Sequence, residues 1–446
     1  MKDRSPEGKP PSVPETAPQG GEVRARWAWA EPVVWTERML TTLETGIEGG
    51  KWFRLIDKVW SPKNLACALE KVVANGGSAG GDNQSVKQVE AHKDDTIRSL
   101  EQALREDQYR PHAVKRVWIP KPGSKDKRPL GVPTVKDRIV QGALRHVIEP
   151  IFERDFAPQS YGFRPGKGCK DALRRVDELL ASGHDWVVDA DLKAYFDSIP
   201  QGRLMERVRE KVADGRVLSL LERMLQAGVM DTTKGWQPTE QGTPQGAVIS
   251  PLLANLYLND LDWTMARQGF EMVRYADDFV VLCRSHAEAQ TALDTIRGWV
   301  EANGLSLHPN KTRLVDASQP GGFDFLGYHF ERGMKWPRAK SLKQLKDTIR
   351  QKTRRSQGRS LKAICADLNG TLRGWFEYFK HSHYTAFGPI DRYIRGRLRS
   401  ILRKRQGKKG FGRGLDNQRW PNAYFSALGL FSLKQAHAAA RQSSGR

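Results

Sequence analysis

The chain has 446 residues, with 73 Lys and Arg against 51 Asp and Glu, a formal net charge of +22 and an isoelectric point near 9.9. This length predicts two or three domains, and this charge predicts a polyanionic partner, either nucleic acid or an anionic membrane surface. No apolar run approaches the roughly 20 residues that span a bilayer, and no apolar signal-peptide core is present, so we expect a cytoplasmic protein with no membrane partner.

The first hundred residues contain mostly local structural signals. Residues 1–34 open with a Pro- and Gly-rich stretch that predicts disorder. Apolar spacing then predicts helices near Thr41–Asp57 and Pro62–Val73, followed by a glycine-rich loop, NGGSAGGDNQSV. That loop contains neither G-x-G-x-x-G nor Gly-Lys-Ser/Thr, so it does not indicate a phosphate cradle.

A basic hairpin and a helix follow. In AVKRVWIPKPGSKDKRPLGVP, polar and apolar residues alternate on both sides of a Pro-Gly turn, which predicts a β-hairpin with Lys121, Lys125, Lys127 and Arg128 at or near its tip. In VKDRIVQGALRHVIEPIF, apolar residues recur at helical spacing and predict an amphipathic helix.

Strands and helices then alternate. WVVDADLKAYFDSI begins as an apolar strand, carries Asp189 and Asp191 at its end, and turns toward a helix. TPQGAVISPLLANLYLNDLDWTM is a glycine turn followed by an apolar helix. The strand-like run RYADDFVVLC comes next. This alternation indicates an α/β architecture built on a mixed sheet.

The adjacent Asp277 and Asp278 interrupt that apolar run. Two carboxylates at close range in a buried strand are costly, because desolvation and like charge both oppose ionisation. If the strand that ends at Asp191 is a neighbour, three carboxylates converge and can share two Mg²⁺ ions, which prefer oxygen ligands. Such a pair of ions suits in-line phosphoryl transfer.

Seven blocks in order resemble those of group II intron-encoded reverse transcriptases. They are IPKPGSKDKRPLGVPTVKDRIVQ, SYGFRPGKGCKDAL, DADLKAYFDSI, GTPQGAVISPLLANLYLNDLD, YADD, NGLSLHPNKTRLV and FDFLGYHF. Beyond them, LNGTLRGWFEYFKHSHYTAFGPIDRYIRGRLRSILRK resembles the maturase region of that family. The resemblance covers about residues 40 to 435 and implies a bacterial, nucleoid-associated RNA-directed DNA polymerase.

The resemblance also assigns roles to individual residues. It implies metal ligation by Asp191, Asp277, Asp278 and the carbonyl of Leu192, with Lys311 protonating the leaving pyrophosphate. It implies a deoxynucleoside triphosphate pocket formed by Lys121, Arg128, Phe196, Gln245 and Gly246, in which Phe196 discriminates against a 2′-hydroxyl. It implies template and primer contacts by Tyr161, Arg164, Phe325, Leu326 and Gly327.

Each assignment has a structural alternative. Phe196 could be core, Lys311 could be a surface lysine, and Tyr161 and Arg164 could serve packing. Asp189 is interpreted as structural or solvated.

Between Arg338 and Arg413 the chain has 22 Lys and Arg and four acidic residues. Arg392, Arg395 and Arg399 lie at helical spacing and predict one basic helix face that binds RNA through phosphates. A solvated helix face is the alternative. Trp375 or Tyr378 could stack on bases, although we favour a core role for Trp375 and Phe379.

The fold that we expect is a right-hand polymerase, with α/β fingers and palm followed by an α-helical thumb and maturase domain. The expected domains are a disordered tail at 1–34, a fingers extension at 35–100, fingers and palm at 101–332, a thumb/maturase domain at 333–410 and a nucleic-acid-binding appendage at 411–446. Many relatives in this family end in a nuclease domain with paired Cys and His. The tail after residue 410 has no cysteine and one histidine, so we expect no endonuclease activity.

Three functions remain open: a polymerase that copies group II intron RNA, a maturase that mainly folds that RNA for splicing, and a host-adopted polymerase in repair or defence. The first two can coexist in one protein. The expected partners are intron RNA, an RNA template with a DNA primer, target DNA and deoxynucleoside triphosphates.

Overall fold

The computed structural model describes residues 23–47, 50–120, 127–231, 233–408, 410 and 414–444. Internal contacts divide the chain into two compact units, with the first ending at Leu314 and the second beginning at Val315. The domain boundaries expected from sequence remain predictions. No helix in the described ranges is both long and apolar enough to cross a membrane.

The helices of the first unit are α1 (Val23–Arg26), α2 (Glu37–Thr45), α3 (Ile56–Trp60), α4 (Pro62–Asn75), α5 (Val86–Ala91), α6 (Lys93–Arg105), α7 (Val135–Glu153), α8 (Cys169–Ala181), α9 (Tyr195–Ser198), α10 (Gln201–Arg209), α11 (Gly215–Gln226), α12 (Ser250–Arg267) and α13 (His286–Ala302). Those of the second unit are α14 (Ala339–Lys352), α15 (Leu361–Phe379), α16 (Phe387–Arg405), α17 (Leu415–Arg419), α18 (Asn422–Ala427) and α19 (Leu433–Ser444), with a 3₁₀ helix at Tyr384–Ala386.

The strands are β1 (Val114–Pro120), β2 (Lys127–Val132), β3 (Trp186–Asp191), β4 (Val229–Asp231), β5 (Gly235–Gln237), β6 (Glu271–Tyr275), β7 (Asp278–Cys283), β8 (Arg313–Asp316), β9 (Phe323–Phe325), β10 (Tyr328–Glu331) and β11 (Met334–Pro337). They form three sheets. The hairpin sheet has the order β2-β1-β4-β5, the aspartate sheet has the order β6-β7-β3-β8, and the third sheet has the order β11-β10-β9.

The core of the first unit surrounds α7 and α12. On α7 the apolar residues that predicted an amphipathic helix are buried, Ile139, Leu144 and Ile148 among them. α12 is apolar around most of its circumference, and most of its residues are buried, as expected of a helix enclosed on all sides. The strand-rich segments predicted from alternation are confirmed, and β1 pairs with β2 as an antiparallel hairpin.

One predicted helix is wrong. Residues Thr41–Asp57 do not form a single helix, because α2 ends at Thr45 and α3 begins only at Ile56. Gly46 follows α2 with φ +97°, a backbone conformation that breaks the helix and that glycine adopts without steric cost. The helix predicted near Pro62–Val73 is confirmed as α4.

The second unit has its own core on α15 and α16. The buried side chains include Leu372 and Phe376 from α15 and Phe387 from α16. The expected core role of Phe379 is confirmed by its burial, and the Trp375 ring lies 4.6 Å from it.

The C-terminal helices complete this second core. Trp420, Phe425 and Leu433 are buried in the same cluster as α15 and α16. The carboxylate of Asp391 accepts hydrogen bonds from Ser432 and from the backbone of Leu433 and Lys434. Residues that were expected to form a separate appendage therefore belong to the core of the second unit.

Candidate active site on the aspartate sheet

The aspartate sheet brings the three predicted carboxylates to one edge. Asp191, at the end of β3, is the cross-strand partner of Asp278, the first residue of β7. Tyr275 pairs with Asp278 across the β6–β7 hairpin, so Ala276 and Asp277 form its turn. The chain thus turns at the aspartate pair, as the sequence suggested, and β3 is the neighbouring strand.

This turn is held tightly by an adjacent segment. Ala276 has φ +60°, in the left-handed region that non-glycine residues rarely occupy. The Tyr161 backbone N–H donates to the carbonyl of Arg274 at 2.8 Å, which aligns the segment with β6. A Cβ atom on the next residue, Gly162, would lie 2.3 Å from the Ala276 nitrogen, so only glycine permits this approach.

The electrostatics of Asp277 favour a bound cation. Burial raises the pKa of the Asp277 carboxyl, and the charge of Asp191 raises it further. The guanidinium groups of Arg128 and Arg274 oppose this shift, but the net direction remains upward. A backbone hydrogen bond and two arginines therefore offset the desolvation of this half-buried carboxylate only in part, and a bound metal ion would favour its ionised form further.

The negative charge of Asp191 is compensated by a lysine side chain. Its carboxylate forms an ion pair with the ammonium group of Lys311. Two residues before Asp191 on β3, Asp189 forms an ion pair with Arg313 of β8 at 3.1 Å. The ion pair of Asp189 agrees with its interpretation as a structural residue. The role of Lys311 as a proton donor stays a prediction.

The residues present fit a magnesium site in chemistry. The donors are carboxylate oxygens, the ligands that this hard cation prefers. As the side chains stand, no three Asp, Glu, His or Cys groups within the described ranges converge closely enough to hold one ion. Asp191 forms its ion pair with Lys311 through Oδ2, so the ammonium group would lie beside any ion that this carboxylate held.

The predicted nucleotide loop is fastened to the hairpin sheet. Gly246 has φ +108°, and a Cβ atom there would lie 2.4 Å from the carbonyl oxygen of Gly131 on β2. The Gly131 N–H donates to the carbonyl of Gln245 at 2.6 Å. The close approach that glycine permits is therefore a contact within the protein. Nucleotide binding by Gln245 and Gly246 stays a prediction.

The other predicted pocket residues lie in different environments. Arg128 is exposed on β2, and its positive charge lowers the pKa of Asp277. Lys121 lies outside the described residues. Phe196, on α9, is half-buried against the first core, and its ring centroid lies 5.6 Å from that of Tyr195. Its gating role is still a prediction.

Two predicted template or primer contacts need correction. Arg164 is buried, ion-paired with Glu153 at 2.7 Å, and donates to the carbonyls of Ala157 and Ser160. With its donors used internally, it supports the loop and does not present charge to a template. Phe325 is also wrong as a side-chain contact, because it is fully buried in the second unit. Tyr161 is half-buried and stays a candidate.

The backbone after β9 makes a defined turn. Leu326 has φ +46° and Gly327 has φ +86°. The Leu326 carbonyl accepts from the Tyr378 hydroxyl at 2.7 Å, and the Gly327 carbonyl accepts from the Arg338 backbone at 2.9 Å. Leu326 and Gly327 are thus rigidly presented, and their role at the primer stays a prediction.

The basic face predicted on α16 is wrong in one member. Arg399 is buried, stacks on Phe425, and donates to the Trp420 carbonyl and to Asn422. It lies on the inner side of α16 because the C-terminal helices cover it. Arg392 is exposed and Arg395 is half-buried, and RNA binding by these two stays a prediction.

A more concentrated basic surface lies beside α16. We call it the basic groove, a depression of about 490 Å³ whose lining includes five cationic side chains and no acidic one. The lining residues are Arg350, Gln351, Arg354, Arg355, Ser356, Arg397 and Lys404. Arg397 is fixed there by donating to the hydroxyl and carbonyl oxygens of Thr353. Sequence reasoning recognised the charge of this region, but not that residues of α14, the following loop and α16 converge.

Sequence reasoning also missed the ion pair beneath the aspartates. Arg274 and Asp262 are 1% and 0% exposed and are joined by two hydrogen bonds of 2.7 and 2.5 Å. The available signal was a charged residue among apolar neighbours on each segment, Arg274 on β6 and Asp262 on α12.

Comparison with known proteins agrees with this geometry. Residues 119–330 match the family model described as reverse transcriptase (RNA-dependent DNA polymerase), and residues 342–420 match the group II intron maturase-specific domain. The chain is 32% identical to Protein YkfC of Escherichia coli over 320 residues, which cover 63% of this chain and 83% of that protein. The chain belongs to the group II intron reverse transcriptase/maturase family.

Two further similarities are more limited. The chain is 39% identical to the group II intron-encoded protein LtrA of Lactococcus lactis over 171 residues, 38% of this chain and 28% of that protein. A solved chain of a partial Cas6-RT-Cas1–Cas2 complex is 25% identical, with a TM-score of 0.36, over 56% of this chain and 41% of that one. The family assignment confirms the expected fold class, α/β fingers and palm followed by a helical thumb/maturase domain, and an RNA-directed DNA polymerase.

Proposed function

We propose that this reverse transcriptase copies group II intron RNA into DNA by phosphoryl transfer with two Mg²⁺ ions, and that its second unit binds the intron RNA to assist splicing. The observation that supports this best is the meeting of Asp191, Asp277 and Asp278 at one edge of the aspartate sheet. The half-buried Asp277 carboxyl at this edge has a raised pKa, which adds support for a metal site beside this geometry.

The site residues then take distinct roles. Asp191, Asp277, Asp278 and the Leu192 carbonyl would hold the ions, which stabilise the attacking and leaving oxygens. Arg128, together with Lys121, would bind the triphosphate of the incoming nucleotide through charge-assisted hydrogen bonds.

The remaining residues shape the pocket and complete the reaction. Phe196 would lie beneath the sugar, with Gln245 and Gly246 beside it. Lys311 would protonate pyrophosphate after releasing Asp191. Tyr161 and the turn at Leu326–Gly327 would contact the template and primer.

RNA binding by the second unit would use phosphate contacts. The basic groove is lined by five cationic side chains, of which Arg350 pairs with Asp347, and Arg392 and Arg395 add charge on α16. The maturase-specific match at 342–420 favours an intron partner over a host-adopted polymerase. Target DNA as a further partner, and a bacterial, cytoplasmic, nucleoid-associated location, belong to this proposal.

Extension of a DNA primer on an RNA template tests the catalytic part. Asp277→Asn should lose nearly all extension while binding RNA like the unmodified protein, because it removes a ligand charge without touching the basic groove. Asp294→Asn is the matched control, since Asp294 is an exposed carboxylate on α13. Full extension by Asp277→Asn would exclude the assigned site.

A further inference from the structure

Arg274 connects the buried frame of the first unit to the turn that carries the aspartates. Two of its nitrogen atoms bind both carboxylate oxygens of Asp262, on α12, and neither residue is open to solvent. A buried pair of this kind is held in one orientation by its bidentate geometry. The guanidinium group therefore has a fixed position with respect to α12.

The remaining terminal nitrogen of Arg274 acts on the turn itself. It donates to the carbonyl of Ala276 at 2.9 Å and to the side-chain oxygen of Asn255 at 3.0 Å. The Asn255 amide in turn donates to the carbonyl of Gly162 at 2.7 Å. One guanidinium group thus connects α12, β6, the turn and the segment that presses on the turn.

The conformation of Ala276 gives this contact its importance. A left-handed residue other than glycine persists only where its surroundings impose that conformation. The Arg274 guanidinium group restrains the carbonyl of Ala276 by a hydrogen bond, and Gly162 packs against the backbone nitrogen of the same residue. Asp277 follows directly, and Asp278 begins β7 opposite Asp191.

We propose that Arg274 is a positioning residue for the metal-binding aspartates. Its guanidinium group, fixed by Asp262, sets the turn geometry on which the placement of Asp277 and Asp278 against Asp191 depends. This inference rests on the proposed function, because it assumes that those carboxylates bind metal. It predicts that removing the hydrogen bond to the Ala276 carbonyl weakens metal binding without weakening nucleic-acid binding.

The decisive variant is Arg274→Lys, which keeps a cation beside Asp262 but cannot serve both of its oxygens and the Ala276 carbonyl. Mn²⁺ binding to the full chain with template and primer, without nucleotide, is measured by electron paramagnetic resonance. We expect the Mn²⁺ dissociation constant to rise on the order of tenfold, as for other residues that orient metal ligands. The dissociation constant for template–primer should not change.

Asp214→Asn is the matched control for lost stability. Asp214 is a buried carboxylate that accepts hydrogen bonds from the backbone of Leu55, Ile56, Arg216 and Val217. It does not touch the aspartate turn, so its loss should lower Tm and leave Mn²⁺ affinity unchanged. If Arg274→Lys lowers Tm but keeps the Mn²⁺ affinity of the unmodified protein, Arg274 is a packing residue and the proposal is wrong.

Gly162→Ala provides a second route if Arg274→Lys does not fold. The added methyl group displaces the Ala276 nitrogen and leaves the buried ion pair in place. It should weaken Mn²⁺ binding in the same manner, and normal affinity would contradict the proposal. If Asp277→Asn binds Mn²⁺ as tightly as the unmodified protein does, the proposed function itself fails. If Asp277→Asn loses Mn²⁺ binding while Arg274→Lys and Gly162→Ala keep it, the proposed function stands and only this inference fails.

Discussion

The ammonium group of Lys311 and the carboxylate of Asp191 form an ion pair at the edge where the proposed metal ligands meet. The same carboxylate is assigned to metal, so the lysine and the ion compete for it. Both side chains are partly exposed, 59% for Lys311 and 32% for Asp191, so the pair contributes little to stability. It would therefore break at little cost if Asp191 held a metal ion.

Lys311→Gln should consequently bind Mn²⁺ more tightly in the absence of nucleotide. An exposed pair is worth about 0.2–1 kcal/mol, so the expected gain is a few-fold in the dissociation constant. The rate of primer extension at saturating nucleotide should fall, because the proposed proton donor to pyrophosphate is removed. Arg313→Gln, which breaks the neighbouring pair with Asp189, is the control. Weaker Mn²⁺ binding in Lys311→Gln would show that the lysine organises the site.

Phe196 tests the discrimination between sugars. Phe196→Val should raise the incorporation of ribonucleotides relative to deoxyribonucleotides, on the order of tenfold, because it removes the aromatic ring that is proposed to lie beneath the 2′ position. Phe196→Tyr keeps the ring and should discriminate as the unmodified enzyme does. Competition between the two nucleotide types during primer extension measures the ratio. An unchanged ratio in Phe196→Val would mean that the half-buried ring serves only the core.

The basic groove predicts a salt-dependent contribution to RNA affinity. Arg354→Glu with Lys404→Glu should weaken intron RNA binding and reduce the log–log salt slope by about 0.7 for each single-strand phosphate that the variant no longer neutralises. Both residues are exposed, so the fold should tolerate the change. Short-primer extension at saturating template should change much less.

A second double variant controls for the effect of the changed net charge alone on RNA affinity. Arg38→Glu with Arg98→Glu makes the same change in net charge at exposed positions of the first unit. Equal reductions of RNA affinity in the two double variants would show that the groove is not a specific surface. The Arg399 position is unsuitable for such a test, because a buried glutamate there would disrupt the second core.

His146 predicts a dependence of stability on pH. Burial lowers the pKa of His146 to about 4, and the ammonium group of Lys71, 2.8 Å from its Nε2 atom, acts in the same direction. In the neutral ring Nε2 accepts from Lys71 while Nδ1 donates to Asn64 at 2.8 Å. The unfolded chain, with a pKa near 6.5, binds the proton more readily.

The stabilisation from neutral His146 is therefore complete above about pH 6.5 and is lost as pH falls toward 4. Tm measured across this range should decline less steeply with acid in His146→Gln than in the unmodified protein. A decline of the same steepness would show that other groups dominate acid unfolding.

Signals in the sequence were sufficient to predict three features of this fold. The hairpin of β1 and β2, the buried α12 and the meeting of Asp191 with Asp278 followed from alternation, apolar runs and the order of the blocks. Those patterns indicate which face of an element is buried. They do not indicate what a long charged side chain contacts. Arg164, Arg274 and Arg399 are all buried, and their side-chain partners Glu153, Asp262 and Asn422 lie 11, 12 and 23 residues away in the chain.

The contact between Gly131 and Gly246 has a consequence for protein engineering. Because these two backbones are in direct contact, a displacement of β2 would also displace the loop that contains Gly246. The strand and the loop should therefore move together when a nucleotide binds. A hairpin with any residue other than glycine at position 131 would place a Cβ atom 2.6 Å from the Val114 side chain and 3.3 Å from the Gln245 carbonyl oxygen. Chimeras that take the hairpin of a relative should succeed only when both glycines are transferred together.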